Sequence, residues 1–323
     1  MTARLLSRRG ARAMTVRAMT VRVGPVEYRL ETSLPALWRE LSALYRDYPR
    51  NDPQHCPEYE VSVHPTSWWR RFVRPQINLR ADIMGPFAPL PADLGQVAFE
   101  MGMNYQVAVG LNRYLILHAS SVEREGECVI FSAESGSGKS TLAAGLAWGG
   151  WRLLGDEFAL IDPRSGLALP FPRPISLKNR SIDVMAERAP ADRFSRRYYG
   201  APKGTLGYLL PPSDSIARMN EPARPRCVVF PRFEPGSTPG ILRVSKPEAH
   251  VLLVGSSTNY QMLGEAGFLA MADLLDACPA YRITYPSLEA AAALVEQIWR
   301  HSAEQRQAQQ EQAAQKQMER LDG

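Results

Sequence analysis

The chain has 323 residues, enough for one large or two ordinary domains and a substantial core. Apolar residues make up 45% and charged residues 22%, as in an ordinary soluble protein, and the formal charge of +5 comes largely from N-terminal arginines, so it does not argue for nucleic acid. Cys56, Cys128, Cys227 and Cys278 are scattered with no C-x-x-C pair, which argues against a zinc site or disulfide framework and predicts reduced thiols in a cytoplasmic protein; no apolar run reaches membrane-spanning length.

Residues 1–20 carry Arg4, Arg8, Arg9, Arg12 and Arg17 and a near repeat of Ala-Met-Thr-Val-Arg at 13–17 and 18–22. They lack the apolar core of a signal peptide and read as a disordered basic extension, with an upstream start before Met14 or Met19, or a basic binding arm, as alternatives. Residues 21–111 read as a small α+β domain. Val21–Leu30 alternates like a strand, and Leu34, Leu37, Trp38, Leu41, Leu44 and Tyr45 have helical spacing. Tyr59–His64 and Gln76–Ala81 read as strands, and Leu94–Leu111 as a helix. Trp68, Trp69 and Phe72 lie among arginines; such aromatics stack bases in some proteins, but pairing in a small sheet is the preferred reading.

Residues 112–300 read as the second domain. Tyr114–Leu117 is a short apolar strand ending at His118, which by position alone is a satisfied turn or core histidine. Cys128–Phe131 is a buried-type strand, followed by the small-residue loop 132–138, then Lys139-Ser140-Thr141 and an apolar helix to Trp148. Strand, glycine loop and helix come in the order a phosphate cradle requires. Gly136 and Gly138 let the backbone curl, so that N–H groups from Ser135 to Thr141 converge on one anion at a helix N-terminus. Lys139 would reach the β- and γ-phosphates of ATP, and the Ser140 hydroxyl would ligate Mg²⁺. Ala133 replaces the first glycine of G-x-x-x-x-G-K-[ST], which a methyl tolerates where φ is negative.

Gly149-Gly150 stops the helix, and the strand Trp151–Leu154 leads at once to Asp156-Glu157. If the strands are parallel, this acidic pair lies at a carboxyl end, beside the phosphates. One carboxylate can then take a proton from an incoming hydroxyl while the other helps hold Mg²⁺; a solvated turn is the competing reading. Further on, the extended segment 166–178 delivers Arg173 and Lys178, and Asp192–Lys203 reads as a basic loop of lid or binding type. Arg226–Arg232 and Leu242–Ser245 read as strands, followed by two helices, the strand Tyr281–Tyr285 and an amphipathic helix at 287–299. The tail 301–323 is polar and reads as a frayed helix or disorder.

Leu117-His118, the loop Ser135-Gly-Ser-Gly-Lys-Ser140 and the early Asp156-Glu157 pair together resemble the C-terminal catalytic domain of HPr kinase/phosphorylase. Within that group the sequence is most similar to the HprK-related kinase A family, associated with exosortase-type sorting and exopolysaccharide loci. Pro172-Arg-Pro174, Leu177-Lys178, Phe230-Pro-Arg232 and the closing Tyr285-Pro-Ser-Leu-Glu-Ala-Ala suit that group. The resemblance covers roughly residues 112–300. It implies an α/β P-loop kinase domain of the HPr kinase/PEP carboxykinase-like type behind the small α+β domain, with ATP and Mg²⁺ as cofactors. It implies Asp156 as the base that deprotonates the acceptor hydroxyl, Glu157 at the position of a second, metal-binding aspartate, and His118 near the transferred phosphate. No match to the family's phosphorolysis motif is found, so neither the reverse reaction nor HPr as substrate is implied.

The expected function is therefore an ATP-dependent kinase acting on a hydroxyl, of a protein serine or a small molecule, with a homo-oligomer as one possible assembly. The rival from another class is a nucleotide-binding regulatory module without phosphotransfer, signalling to partner proteins. A nucleic-acid-dependent ATPase lacks a basic stripe and motor motifs.

Overall fold

The computed structural model describes residues 15–50, 56–67, 69–71, 73–83, 87–134, 136–201 and 204–302. The chain opens with a hairpin, β1 (Arg17–Val23) and β2 (Val26–Thr32). Alternation puts Met19, Val21, Val23, Val26, Tyr28 and Leu30 on one buried face. The strand begins inside the stretch expected to be a disordered extension through residue 20, because Met19 is needed on that face; residues 1–14 lie outside the described residues. Helix α1 (Pro35–Leu44) crosses to β3 (Tyr59–Pro65), which runs parallel to β2, and β4 (Gln76–Ala81) and the short β5 (Leu90–Pro91) complete a five-stranded sheet. Helix α2 (Gly95–Gly110) packs against it through Phe99, Met103 and Val107. Trp69 does not pair strands as expected: it sits in a short 3-10 turn, 45% exposed, with the Arg70 guanidinium 4.4 Å from its ring centre. Trp68 and Phe72 lie outside the described residues.

The second half is built on a six-stranded sheet. Its strands come after β6 (Leu115–Leu117): first β7 (Ala119–Arg124) and β8 (Glu127–Ser132), a hairpin through Glu125-Gly126. Helix α3 (Lys139–Trp148) covers β8 and leads into β9 (Arg152–Gly155). Strand β10 (Ala159–Ile161) pairs with β6 and with β11 (Ala168–Leu169) in a small separate sheet. Strand β12 (Ile175–Lys178), helix α4 (Arg180–Ala186), β13 (Tyr198–Ala201), β14 (Gly204–Leu209) and helix α5 (Ser213–Ala217) follow, β14 being the centre of a three-stranded sheet. Strands β15 (Arg224–Phe233) and β16 (Gly240–Val244), helices α6 (Lys246–Ser256), α7 (Tyr260–Leu263) and α8 (Glu265–Ala277), strand β17 (Ala280–Tyr285) and a helix α9 at 288–302 complete the fold.

The large sheet has the order β16-β17-β15-β8-β7-β9. Strands β17, β15 and β8 are parallel, and β7 is antiparallel to both β8 and β9. Strand β9 therefore runs in the same direction as β8, and Asp156 follows its carboxyl end on the same edge as the loop after β8. Apolar layers lie on both faces, one under α3 and α9 and the other under α6 and α8.

The N-terminal sheet is not a separate globule. Its core is continuous with Phe158, Leu160, Phe171, Tyr198 and Tyr208. Gly24 touches the carbonyl of Pro170 so closely that a Cβ there would lie 1.9 Å from it. Arg173 is buried against Glu100 and Asn104 of α2, and the Tyr48 hydroxyl donates to the Pro172 carbonyl at 2.6 Å. The expected basic loop 192–203 is likewise tied down: Arg193 pairs with Asp47, Arg196 with Glu40 at 2.8 Å, and residues 198–201 form β13. Lys203 lies outside the described residues.

Candidate active site

Three segments converge at the carboxyl ends of β8 and β9. The first is the loop 133–138. Gly136 and Gly138 have φ of +94° and +88°, a conformation that L side chains resist. Ala133 is not among the described non-glycine residues with positive φ, so its methyl is accommodated as the sequence anticipated. The Ser137 carbonyl accepts from the Phe233 N–H at 3.1 Å and the Tyr285 hydroxyl at 3.2 Å, which fastens the loop to the ends of β15 and β17. Gly138 is the N-cap of α3 and supplies no side-chain cap hydrogen bond, and the first N–H groups of a helix have no intrahelical acceptor. The Ser137 hydroxyl oxygen is buried without a hydrogen-bond partner among the described residues. Uncapped N–H groups and an orphaned hydroxyl around a glycine curl fit an anion. Ser135 lies outside the described residues.

The second segment is Asp156-Glu157. Asp156 is 2% exposed. Its Oδ1 accepts from the Ser120 hydroxyl at 2.8 Å, and its Oδ2 from the Ser176 N–H at 3.3 Å. Burial, with the nearby Glu157 charge adding to it, pushes its pKa up to about 6, against the opposing pull of the Ser120 hydrogen bond, Lys139 and the Ser140 hydroxyl. Asp156 therefore lies near Lys139 and Ser140 at the start of α3.

The third segment is Leu117-His118. The Lys139 ammonium donates to the His118 carbonyl at 3.0 Å, while the His118 main-chain N–H donates to the Ser256 carbonyl at 2.8 Å. The His118 ring lies 3.7 Å from a Glu157 carboxylate oxygen and edge-on to Phe158. The fold therefore brings Lys139, Ser140, Asp156, Glu157 and His118 together. Thr141 is on the first turn of α3. Arg173, expected among the delivered cations, is instead turned into the interior toward Glu100.

For a metal, Ser140 and Glu157 offer hard oxygen donors with Asp156 adjacent. Among the described residues no group of three or more His, Cys, Asp and Glu is placed to hold an ion. Mg²⁺ takes one or two protein oxygens and completes its shell with phosphate and water. Sequence reasoning missed Ser120 and Ser176. Ser120 sits in a strand of Ala-Ser-Ser-Val-Glu-Arg that lacks apolar alternation, and the Ser176 contact is made by its backbone, so no side-chain pattern announces it.

No family model matches the chain, and no curated protein matches it. Among solved structures, the HPr(Ser) kinase/phosphatase from Coxiella burnetii is similar over 59% of this chain and 98% of that one, at 10% identity and a TM-score of 0.29. The protein is a mixed α/β chain of several sheets, and among the described residues no helix is long and apolar enough to cross a membrane.

Proposed function

We propose that this chain is an ATP-dependent phosphotransferase of the HPr kinase-like class, which moves the γ-phosphoryl group onto a hydroxyl of a protein serine or a small molecule. The observation that carries this reading is the buried Asp156 carboxylate, held by the Ser120 hydroxyl and the Ser176 N–H near the start of α3, with its pKa raised to about 6. A raised carboxylate pKa makes a stronger base that is still ionised at neutral pH.

In this reading the N–H groups of 136–141 hold the phosphates, and Lys139 leaves the His118 carbonyl to neutralise the β- and γ-phosphates. Ser140 and Glu157 would hold Mg²⁺, which when bound supplies charge neutralisation at the phosphates. Asp156 takes the proton of the acceptor hydroxyl as its oxygen bonds to the γ-phosphorus; the bond to the bridging oxygen breaks, and ADP leaves with that electron pair. Ser120 and the Ser176 N–H orient the carboxylate, so that catalysis is positioning and charge neutralisation. His118, paired with Glu157, borders the transferred group.

The test is Mg²⁺-dependent turnover of γ-labelled ATP by wild type and Asp156→Asn, offered free serine, a cell extract or no acceptor. Label is expected on one acceptor with wild type and not with the variant, while both bind ATP. Tight ATP binding with no transfer, identical in both proteins, would sink the kinase reading and leave a nucleotide-binding regulatory module, whose expected setting is an exosortase or exopolysaccharide system.

A further inference from the structure

The polarity of the site says where the rest of a nucleotide goes. Asp156, Glu157 and His118 all lie on the β7/β9 side of the loop, so the reacting end of a bound triphosphate faces that side. The nucleoside then leaves on the opposite side, over the ends of β15 and β17. Those ends are Phe233 and Tyr285, direct partners in the parallel register.

A single exposed aromatic is ordinary on a protein surface, so position decides here. Phe233 is 46% exposed and is fastened to the loop itself: its N–H donates to the Ser137 carbonyl, and its Cβ lies 3.2 Å from where a Gly138 Cβ would be. Tyr285, which is buried, backs it with ring centres 5.9 Å apart and planes tilted by 48°, while its hydroxyl holds the same carbonyl. The phenyl ring is therefore supported on one side by a fixed aromatic and open on the other, one residue from the phosphate-facing glycine.

We infer that Phe233 is the stacking platform for the nucleobase, with Tyr285 as the residue that positions both platform and loop. The inference rests on the nucleotide reading above and adds the subsite that binds the base. Aromatic stacking recognises the π-face of any base, and removal of such a platform weakens binding by roughly tenfold.

Calorimetric titration of ATP and of inorganic tripolyphosphate, both with Mg²⁺, into wild type, Phe233→Ala and Phe233→Trp separates the possibilities. The alanine variant keeps the Cβ and the N–H that touch the loop, so the loop's geometry is retained. The expected result is about tenfold weaker ATP binding by Phe233→Ala, unchanged tripolyphosphate binding, and near-normal ATP binding by Phe233→Trp. Equal weakening toward both ligands would make Phe233 a loop brace and overturn the inference, as would no change toward ATP. Either outcome leaves the nucleotide site standing. Failure of the wild type to bind either ligand would overturn the nucleotide reading, and the base platform with it.

Discussion

Asp156 has a carboxylate in a place that disfavours its charge. Its folded pKa of about 6 exceeds the ordinary value of 3.8. The native state therefore holds this proton more tightly than the unfolded chain does. Above pH 6 the ionised group costs stability, and the cost disappears as pH falls through 3.8. Asp156→Asn should relieve it: Ser120 can donate to the Asp156 main-chain carbonyl, 2.8 Å away, while accepting from the amide nitrogen, and the amide oxygen can still receive the Ser176 N–H. The variant is expected to melt roughly 5 °C higher than wild type at pH 7.5 and at the same temperature near pH 3.5, a difference on the order of 2 kcal/mol at the higher pH, measured by thermal unfolding. Its transfer rate is expected to fall by about 10²–10⁴. In wild type the rate should rise with pH through about 6 and then level off. Ser120→Ala removes a hydrogen bond that favours the ionised form, so the acid limb of that pH–rate profile should move to higher pH. A limb that stays in place would show that Ser120 does not tune the base.

At the scale of elements, the loop and α3 act as one unit because both ends of the turn are fixed. Gly138 has positive φ, and a Cβ there would come 2.7 Å from the Tyr285 hydroxyl. Gly138→Ala combines backbone strain of about 1 kcal/mol with displacement of that hydroxyl. The variant is expected to lose Mg·ATP binding by at least tenfold in equilibrium titration while β15 and β17 stay folded. Gly136 has nothing within 4 Å of its Cβ position, so Gly136→Ala meets only the strain and should bind more tightly than Gly138→Ala. Equal losses at the two glycines would mean that the Tyr285 contact is irrelevant to the loop. The antiparallel β7 has a comparable role on the other side: inserted between β8 and β9, it carries Ser120 to Asp156 and sets the spacing between loop and acidic pair.

At the scale of the whole molecule, the two halves share one apolar cluster and one buried ion pair. Each large side chain of that cluster contributes about 1.5–3 kcal/mol through burial, and Phe158, Phe171, Tyr198 and Tyr208 would all lose cover without the N-terminal sheet. Arg173 and Glu100 neutralise each other in the interior, and the Tyr45 hydroxyl donates to Glu100 at 2.8 Å. The chain from 15 to 302 is therefore expected to unfold in a single transition, by calorimetry and by circular dichroism in urea. Arg173→Ala strands the Glu100 charge and should cost about 3–5 kcal/mol in the same urea experiment. Two resolved transitions would show that the halves fold independently.

The segments of this candidate site that the fold brings together were largely legible in the sequence because they are local. Gly136, Gly138, Lys139, Ser140 and Asp156-Glu157 lie within 22 residues, and strand, loop, helix and strand follow one another with clear hydrophobic and glycine signals. Most of the elements in the N-terminal half were legible for the same reason, since Tyr59–Pro65, Gln76–Ala81 and Gly95–Gly110 repeat with periods of 2 and 3.6. What only the tertiary structure decided depends on contacts between distant positions. The sequence offers no sign that β7 separates β8 from β9, that Arg173 turns inward to Glu100, or that Phe233 and Tyr285, 52 positions apart, meet at Ser137. Periodicity reports which face of an element is apolar. Which elements share a core, and which buried charge finds its partner, is settled only when the whole chain competes for the same interior.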